Sequence, residues 1–273
     1  MSTFYNSERL KYNQMNYNND VELDNFCSQC LLVINAVGPS FKINDKIALH
    51  ALRNNCHYID IGGYGILRDL LKPYEKSIEA QKLCFIIGVG WMPGISGVFS
   101  KTIIETHLNS PENTNFNIYY GAVDNWSYSS TYDLAASSMG KTRSYVYSHG
   151  KEIQVSPFRY THHKFFPFIG HKKICMPSFD EQLTQLATSL KQIRKISTFI
   201  MLNDYISMGK FMFIKIFYKH NLNKATLMLQ DDYQRLVKKE NKWGSVICQV
   251  SKIEPELSLI HISEPTRRSY ISY

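Results

Sequence analysis

Between Leu31 and Ser96 the chain alternates apolar and helical runs three times, and each apolar run ends in a loop of small residues. The loops are Ile34-Asn35-Ala36-Val37-Gly38-Pro39-Ser40, then Asp60-Ile61-Gly62-Gly63, then Gly88-Val89-Gly90-Trp91-Met92-Pro93-Gly94. Strands separated by about one helix each predict βαβ crossovers and a parallel sheet. The continuous run Leu31–Asn35 predicts a strand buried on both faces, with further strands over His57–Ile61 and Leu83–Val89. Helices are predicted over Asp20–Ser28, Ile43–Arg53, Gly65–Leu71, Tyr74–Lys82 and Ile95–Leu108, with Ser40 or Asn44 as the cap of the second.

The segment Asn109-Ser110-Pro111-Glu112-Asn113 predicts a domain boundary, because the rhythm changes after it. Strands are expected at Phe116–Val123, Thr142–Tyr147, Ile153–Val155, Ile196–Leu202 and Trp243–Val250, with a turn at Gly150. Helices are expected at Phe179–Leu190, capped by Ser178, at Ile206–Tyr218 and at Lys224–Glu240. The aromatic, Lys-rich segment Phe158–Ile174, broken by proline, reads as a loop. Strands bunched with helices outside a βαβ rhythm predict an α+β second domain. The division is therefore 1–110, 111–256 and a tail, 257–273.

A chain of 273 residues with 44% hydrophobic content can bury a substantial core, which excludes global disorder. The formal charge of +8 comes from scattered Lys and Arg with no accompanying nucleic-acid motif, so no nucleic-acid partner is expected. No charged start followed by an apolar run predicts a signal peptide, and Phe199–Tyr218 is too broken by Asp204, Lys210 and Lys215 to span a bilayer. No membrane partner is expected, and the six dispersed cysteines read as reduced, cytoplasmic thiols. Cys27 and Cys30 lack a second pair at zinc spacing, and His162, His163 and His171 lack partners at ligand spacing, so no metal is expected.

Small residues at the carboxyl ends of parallel strands are where open α/β sheets admit nucleotides and substrates. Gly38 allows close backbone approach and Pro39 stiffens the turn. Asn35 offers hydrogen bonds to a ribose or amide, and Asp60 is the titratable group best placed for acid–base work. These glycines also suit ordinary tight βα turns, and the sequence alone leaves both readings open. Gly88-Val89-Gly90 mimics part of a dinucleotide fingerprint, but Pro93-Gly94 replaces its usual continuation.

The segments Ile34–Pro39, His57–Gly63 and Gly90-Trp91-Met92-Pro93-Gly94 together resemble the saccharopine dehydrogenase-like family of NAD(P)-dependent oxidoreductases. The resemblance implies an α/β fold with a Rossmann-type parallel sheet, NAD or NADP, and hydride transfer at a C–N bond or carbonyl of an amino-acid-like or polyamine-like small molecule. It implies Asn35, Ala36, Gly38, Pro39, Tyr58 and Gly62 beside the cofactor, and Gly90, Trp91, Pro93 and Gly94 beside the substrate. The second half resembles the family's substrate and dimerisation domain in outline, which allows a homodimer.

The family's Gly-x-Gly-x-x-Gly loop after a first strand has no counterpart here, since no glycine precedes Gly38. The Rossmann-type sheet is therefore expected to be incomplete, the chain to be truncated at its N-terminus, and NADP affinity to be low or absent. The alternative is a non-catalytic binding or dimerisation protein that keeps the fold without the phosphate loop. Leu257–Arg267 resembles translated sequencing-adapter DNA, so 257–273 is expected to be non-native and the natural sequence to stop near Glu254 to Glu256.

Overall fold

A computed structural model describes residues 10–63, 65–107, 114–139, 144–178, 181–189, 193–218, 220–252 and 258–262. The chain forms two compact units, one of residues 1–37 and 43–88 and the other of 38–42 and 89–273.

The first unit runs α1 (Asp20–Cys27), β1 (Leu32–Asn35), α2 (Ser40–Ile43, of which only Ile43 belongs to this unit), α3 (Lys46–Arg53), β2 (His57–Asp60), α4 (Gly65–Leu71), α5 (Glu75–Ala80) and β3 (Phe85–Ile87). Its strands form a three-stranded sheet in the order β1-β2-β3, parallel throughout, as the βαβ rhythm predicts. Leu23, Val33, Ile47, Ala51, Tyr58 and Leu67 build its core. β1 is not buried on both faces: Val33 and Asn35 are buried, whereas Leu32 and Ile34 are 40% and 61% exposed. The helices of this unit pack on the face carrying Val33 and Tyr58, so alternate residues of an apolar strand stay outside. The single helix expected from Ile43 is split, because Asn44 sits at φ +52 between α2 and α3, a conformation asparagine tolerates better than most residues. Neither Asn44 nor Ser40 caps α3; its N-cap position is Asp45.

The second unit runs α6 (Ile95–His107), β4 (Thr114–Val123), α7 (Tyr128–Met139), β5 (Tyr145–Ser148), β6 (Lys151–Gln154), α8 (Pro157–Tyr160), β7 (His162–Phe166), β8 (His171–Ser178), α9 (Glu181–Ser189), β9 (Ile193–Leu202), α10 (Tyr205–Phe217), α11 (Leu222–Lys239), β10 (Trp243–Lys252) and β11 (Ser258–Ile262). α6 belongs to this unit rather than to the first, because Ile103 and Ile104 pack with Phe116, Ile118 and Val246 of the larger sheet. The contact units divide between Gly88 and Val89, and the 109–113 segment expected to be a domain boundary lies outside the described residues.

The large sheet has eight strands on the path β11-β10-β4-β9-β5-β6 with β8 and β7 branching from β9. β4 and β9 are parallel, and the other pairings are antiparallel. The segment read as a loop, Phe158–Ile174, instead supplies α8 and the β7–β8 hairpin, whose turn is closed by Gly170 at φ +77. Pairing of His162–Phe166 with His171–Cys175 satisfies the backbone groups that a loop would leave to water. Ser178 ends β8, where its hydroxyl accepts from the Tyr120 hydroxyl at 2.6 Å, and 179–180 lie outside the described residues. α7 has no counterpart among the sequence expectations; its Ser-rich surface hides the helical period, but Ser127 marks its start by accepting the Ser130 N–H through its hydroxyl. Within the tail, Leu259-Ile260-His261-Ile262 adds to the edge of β10 as part of β11; 263–273 lie outside the described residues.

Among the described residues all the cysteines are free thiols. No described helix is long and apolar enough to cross a membrane.

Candidate functional site

Parallel pairing brings the carboxyl ends of β1 and β2 side by side, with Asn35 directly opposite Asp60. Both side chains point to the buried face, together with Tyr58. Asn35 Nδ2 donates to an Asp60 carboxylate oxygen at 2.7 Å and to the Tyr58 hydroxyl at 3.0 Å, and the Tyr58 hydroxyl donates to the same Asp60 oxygen at 2.6 Å. The other Asp60 oxygen accepts the Gly62 N–H at 2.9 Å and the Gly63 N–H. Asn35 Oδ1 accepts the Val37 N–H at 3.0 Å, shaping the loop that leaves β1.

A buried carboxylate is tolerable only when its lone pairs are filled, and here the unit's own chain fills them. Burial, and then the neighbouring Asp60, push the Tyr58 phenol well above its ordinary value, so Tyr58 stays a donor. Gly63 is required by this arrangement: a Cβ there would stand 2.9 Å from the Asp60 oxygen that its N–H must reach. The network thus locks two strand ends and two exit loops of the first unit into one conformation. Ala36, on the same exit loop, is exposed.

The remaining predicted residues fall in the second unit. The Gly38–Lys42 segment is anchored on α7: Asp133 accepts the Ser40 N–H at 2.9 Å and the Phe41 N–H at 3.2 Å. Lys42 Nζ lies 4.5 Å from the centre of the Tyr132 ring, and a Cβ on Gly38 would press on Ser129. Pro39 is buried.

The Gly90–Gly94 turn closes on itself, with the Gly90 N–H donating to the Pro93 carbonyl at 3.1 Å and the Ile95 N–H to the Gly90 carbonyl at 3.0 Å. Gly94 sits at φ +128, a region glycine alone adopts readily, and its N–H donates to Gln182 Oε1 on α9 at 2.9 Å. Trp91 is half-buried and packs against the core of the large sheet. Sequence reasoning missed Asp133 and Gln182, the two side chains that fix these loops. Both lie on helices distant in sequence, and only the Ser127 start signal of α7 pointed toward the first.

Asn35, Tyr58, Asp60 and Gly62 therefore meet within the first unit, while Gly38, Pro39, Gly90, Trp91, Pro93 and Gly94 sit in loops of the second. The strand-end geometry suits contacts to hydroxyls and amides. It does not fit the pyrophosphate of a dinucleotide. The Gly88–Gly94 turn leads into the long helix α6, but the Gly90, Ile95, Ser96 and Gly97 N–H groups donate to carbonyls of the same turn and the Gly94 N–H to Gln182, and the free N–H groups at the start of α2 are taken by the Asp133 carboxylate. The Cys27-x-x-Cys30 pair packs beside Cys56, whose Sγ donates to the Cys27 and Cys30 carbonyls, and burial pushes the Cys27 thiol up to about 11. Among the described residues no group of three or more His, Cys, Asp or Glu is placed to hold a metal ion.

The fold is shared with a solved dehydrogenase. An apo, histidine-tagged saccharopine dehydrogenase (L-Glu forming) from Saccharomyces cerevisiae superposes with a TM-score of 0.57, covering 89% of this chain and 71% of its own at 14% identity. A dehydrogenase (MviM) from Clostridium difficile aligns over 94% of this chain and 68% of its own, with a TM-score of 0.38 and 7% identity. No protein-family model matches the sequence, and no curated protein sequence matches it.

Proposed function

We propose that the chain is an oxidoreductase of the saccharopine dehydrogenase type, using NAD or NADP for hydride transfer on an amino-acid-like or polyamine-like small molecule. The observation that carries this reading is the Asn35–Tyr58–Asp60 arrangement at adjacent carboxyl ends of parallel strands, the position where open α/β sheets meet their ligands. The fold shared with saccharopine dehydrogenase supports it. In this reading Asn35, Ala36, Gly38, Pro39, Tyr58 and Gly62 serve the ribose and nicotinamide side, and the Gly90–Gly94 turn borders the substrate. Asp60 acts as a positioning residue, because all its acceptors are engaged by its own unit.

A second reading, a binding or dimerisation protein without turnover, is favoured by one specific observation. Asp133 already occupies the Ser40 and Phe41 N–H groups, and no pyrophosphate cradle stands among the described residues. Two measurements on the full chain separate the readings. Titration with NADPH, read by nicotinamide fluorescence, is expected to give a dissociation constant weaker than micromolar; a micromolar value would overturn the stated misfit to pyrophosphate. Absorbance at the nicotinamide band, at millimolar NADH or NADPH with saccharopine, lysine and polyamine substrates, is expected to change with time. Complete absence of turnover by folded protein would leave the binding reading in its place.

A further inference from the structure

The face of the large sheet opposite the α6, α9 and α11 helices carries an unusual set of side chains. Register places Ser197, Asn117 and Gln249 in one row across β9, β4 and β10, and residues directly opposite one another share a face. Two residues along each strand, the next row is Phe199, Tyr119 and Ile247, which are buried together with Phe166 and Cys175. On the other side the polar row continues as Lys195, Asn115 and Ser251.

The β7–β8 hairpin curls over this face. Three strands, β8, β9 and β4, separate β7 from β10 along the sheet, yet Lys164 Nζ on β7 donates to Gln249 Oε1 on β10 and lies 4.9 Å from the centre of the Tyr119 ring. His162 on the same strand meets the Phe199 ring edge-on at 4.8 Å. The curl sets a half-buried ammonium above the polar row.

Two features of this cluster are unbalanced. Lys164 makes no ion pair among the described residues, and strands β4, β7, β8, β9 and β10 contain no Asp or Glu. Its one hydrogen-bond partner among the described residues is a neutral amide. Ser197 is 2% exposed, and its hydroxyl has no hydrogen-bond partner among the described residues. A buried hydroxyl without a partner is costly and calls for an explanation. Burial also lowers the Lys164 amine below its ordinary value, as it does for a cation lacking a counter-charge.

We propose that this face binds the carboxylate of a small organic acid, with Lys164 as its counter-ion and Ser197, Asn117 and Gln249 as neutral donors. A carboxylate carries one negative charge and accepts about four hydrogen bonds. One ammonium balances that charge, and the row supplies two amides and a hydroxyl. Lys164 exchanges its weak acceptor on Gln249 for a charged one. The proposal does not depend on the oxidoreductase reading, since it uses no residue assigned to that reaction.

The test uses the full chain and malonate, at constant ionic strength, with inorganic phosphate as a parallel arm. Malonate is expected to bind one site and to protect Lys164 from acetylation by acetic anhydride, read by peptide mass spectrometry. Lys164→Met is expected to weaken malonate binding at least tenfold and Ser197→Ala several-fold, while the exposed-site control Lys72→Met leaves it unchanged. Equal affinity in Lys164→Met, equal loss in Lys72→Met, preference for phosphate over malonate, or absence of Lys164 protection in the wild-type chain would each overturn the assignment. The protection measurement needs no variant, so it decides the matter if Lys164→Met fails to fold.

Discussion

Asp133 on α7 accepts the backbone N–H of Ser40 at 2.9 Å, although 93 residues separate the two in sequence. The Gly38–Lys42 segment of the second unit is thereby held by a side chain of that unit's own helical layer. Asp133 is buried, and the Phe41 N–H donates to its other oxygen at 3.2 Å.

Replacing that carboxylate should free the segment. Asp133→Ala is expected to cost about 2–3 kcal/mol, the range for hydrogen bonds to a charged group whose partners are left in a poorly solvated place. Hydrogen exchange is the sharper readout: the Ser40 and Phe41 amides should lose protection while those of β4 keep theirs. Unchanged exchange at both amides would show that the loop is held by packing instead.

The Asp60 network should behave as a unit. Tyr58→Phe removes one donor and leaves Asn35 and the two glycine N–H groups in place, for an expected cost of about 1 kcal/mol in urea unfolding. Asp60→Asn turns an acceptor into a donor facing the Asn35 amide and the Tyr58 hydroxyl, and should cost about 3 kcal/mol. The double variant should cost less than the sum of the two singles, because the residues share one network.

Gly97→Ala tests the Gln182 anchor. A Cβ at position 97 would stand 2.6 Å from Gln182 Nε2, forcing that side chain off the Gly94 N–H. Alanine gains about 1 kcal/mol over glycine within a helix, which offsets much of the lost contact. Overall stability should therefore change by less than about 1 kcal/mol, while the Gly94 amide loses hydrogen-exchange protection.

Asp204 and Arg235 predict a pH dependence. Arg235 Nη1 and Nη2 donate to the two Asp204 oxygens at 2.7 and 2.9 Å, and the Ser207 N–H caps the same carboxylate at 2.8 Å. Burial alone would raise the carboxyl, but Arg235 and Ser207 outweigh it and hold it below the usual carboxylate range. A depressed native value means that the stabilisation is complete above the unfolded value, near pH 4, and is lost as pH falls through the native one. Arg235→Met should cost about 2 kcal/mol at pH 7, and the gap to the parent chain should narrow steadily below pH 4. A gap independent of pH would assign the effect to packing of the Arg235 stem.

The sequence by itself determined the parallel three-stranded unit, because alternating apolar runs and small-residue loops leave few other ways to bury three strands with helices between them. It also carried the Asn35–Asp60 pairing implicitly, since parallel register follows once strand ends are located. Only the tertiary structure decided that Asp133 fastens the Ser40 loop, that α6 joins the larger sheet, and that an aromatic segment read as a loop is a hairpin. The last of these carries Lys164 to Gln249 across 85 residues of sequence. Local periodicity records which face of an element is apolar. It does not record how far a sheet curls or which distant side chain supplies a missing hydrogen bond, because those depend on packing between elements that no short window contains.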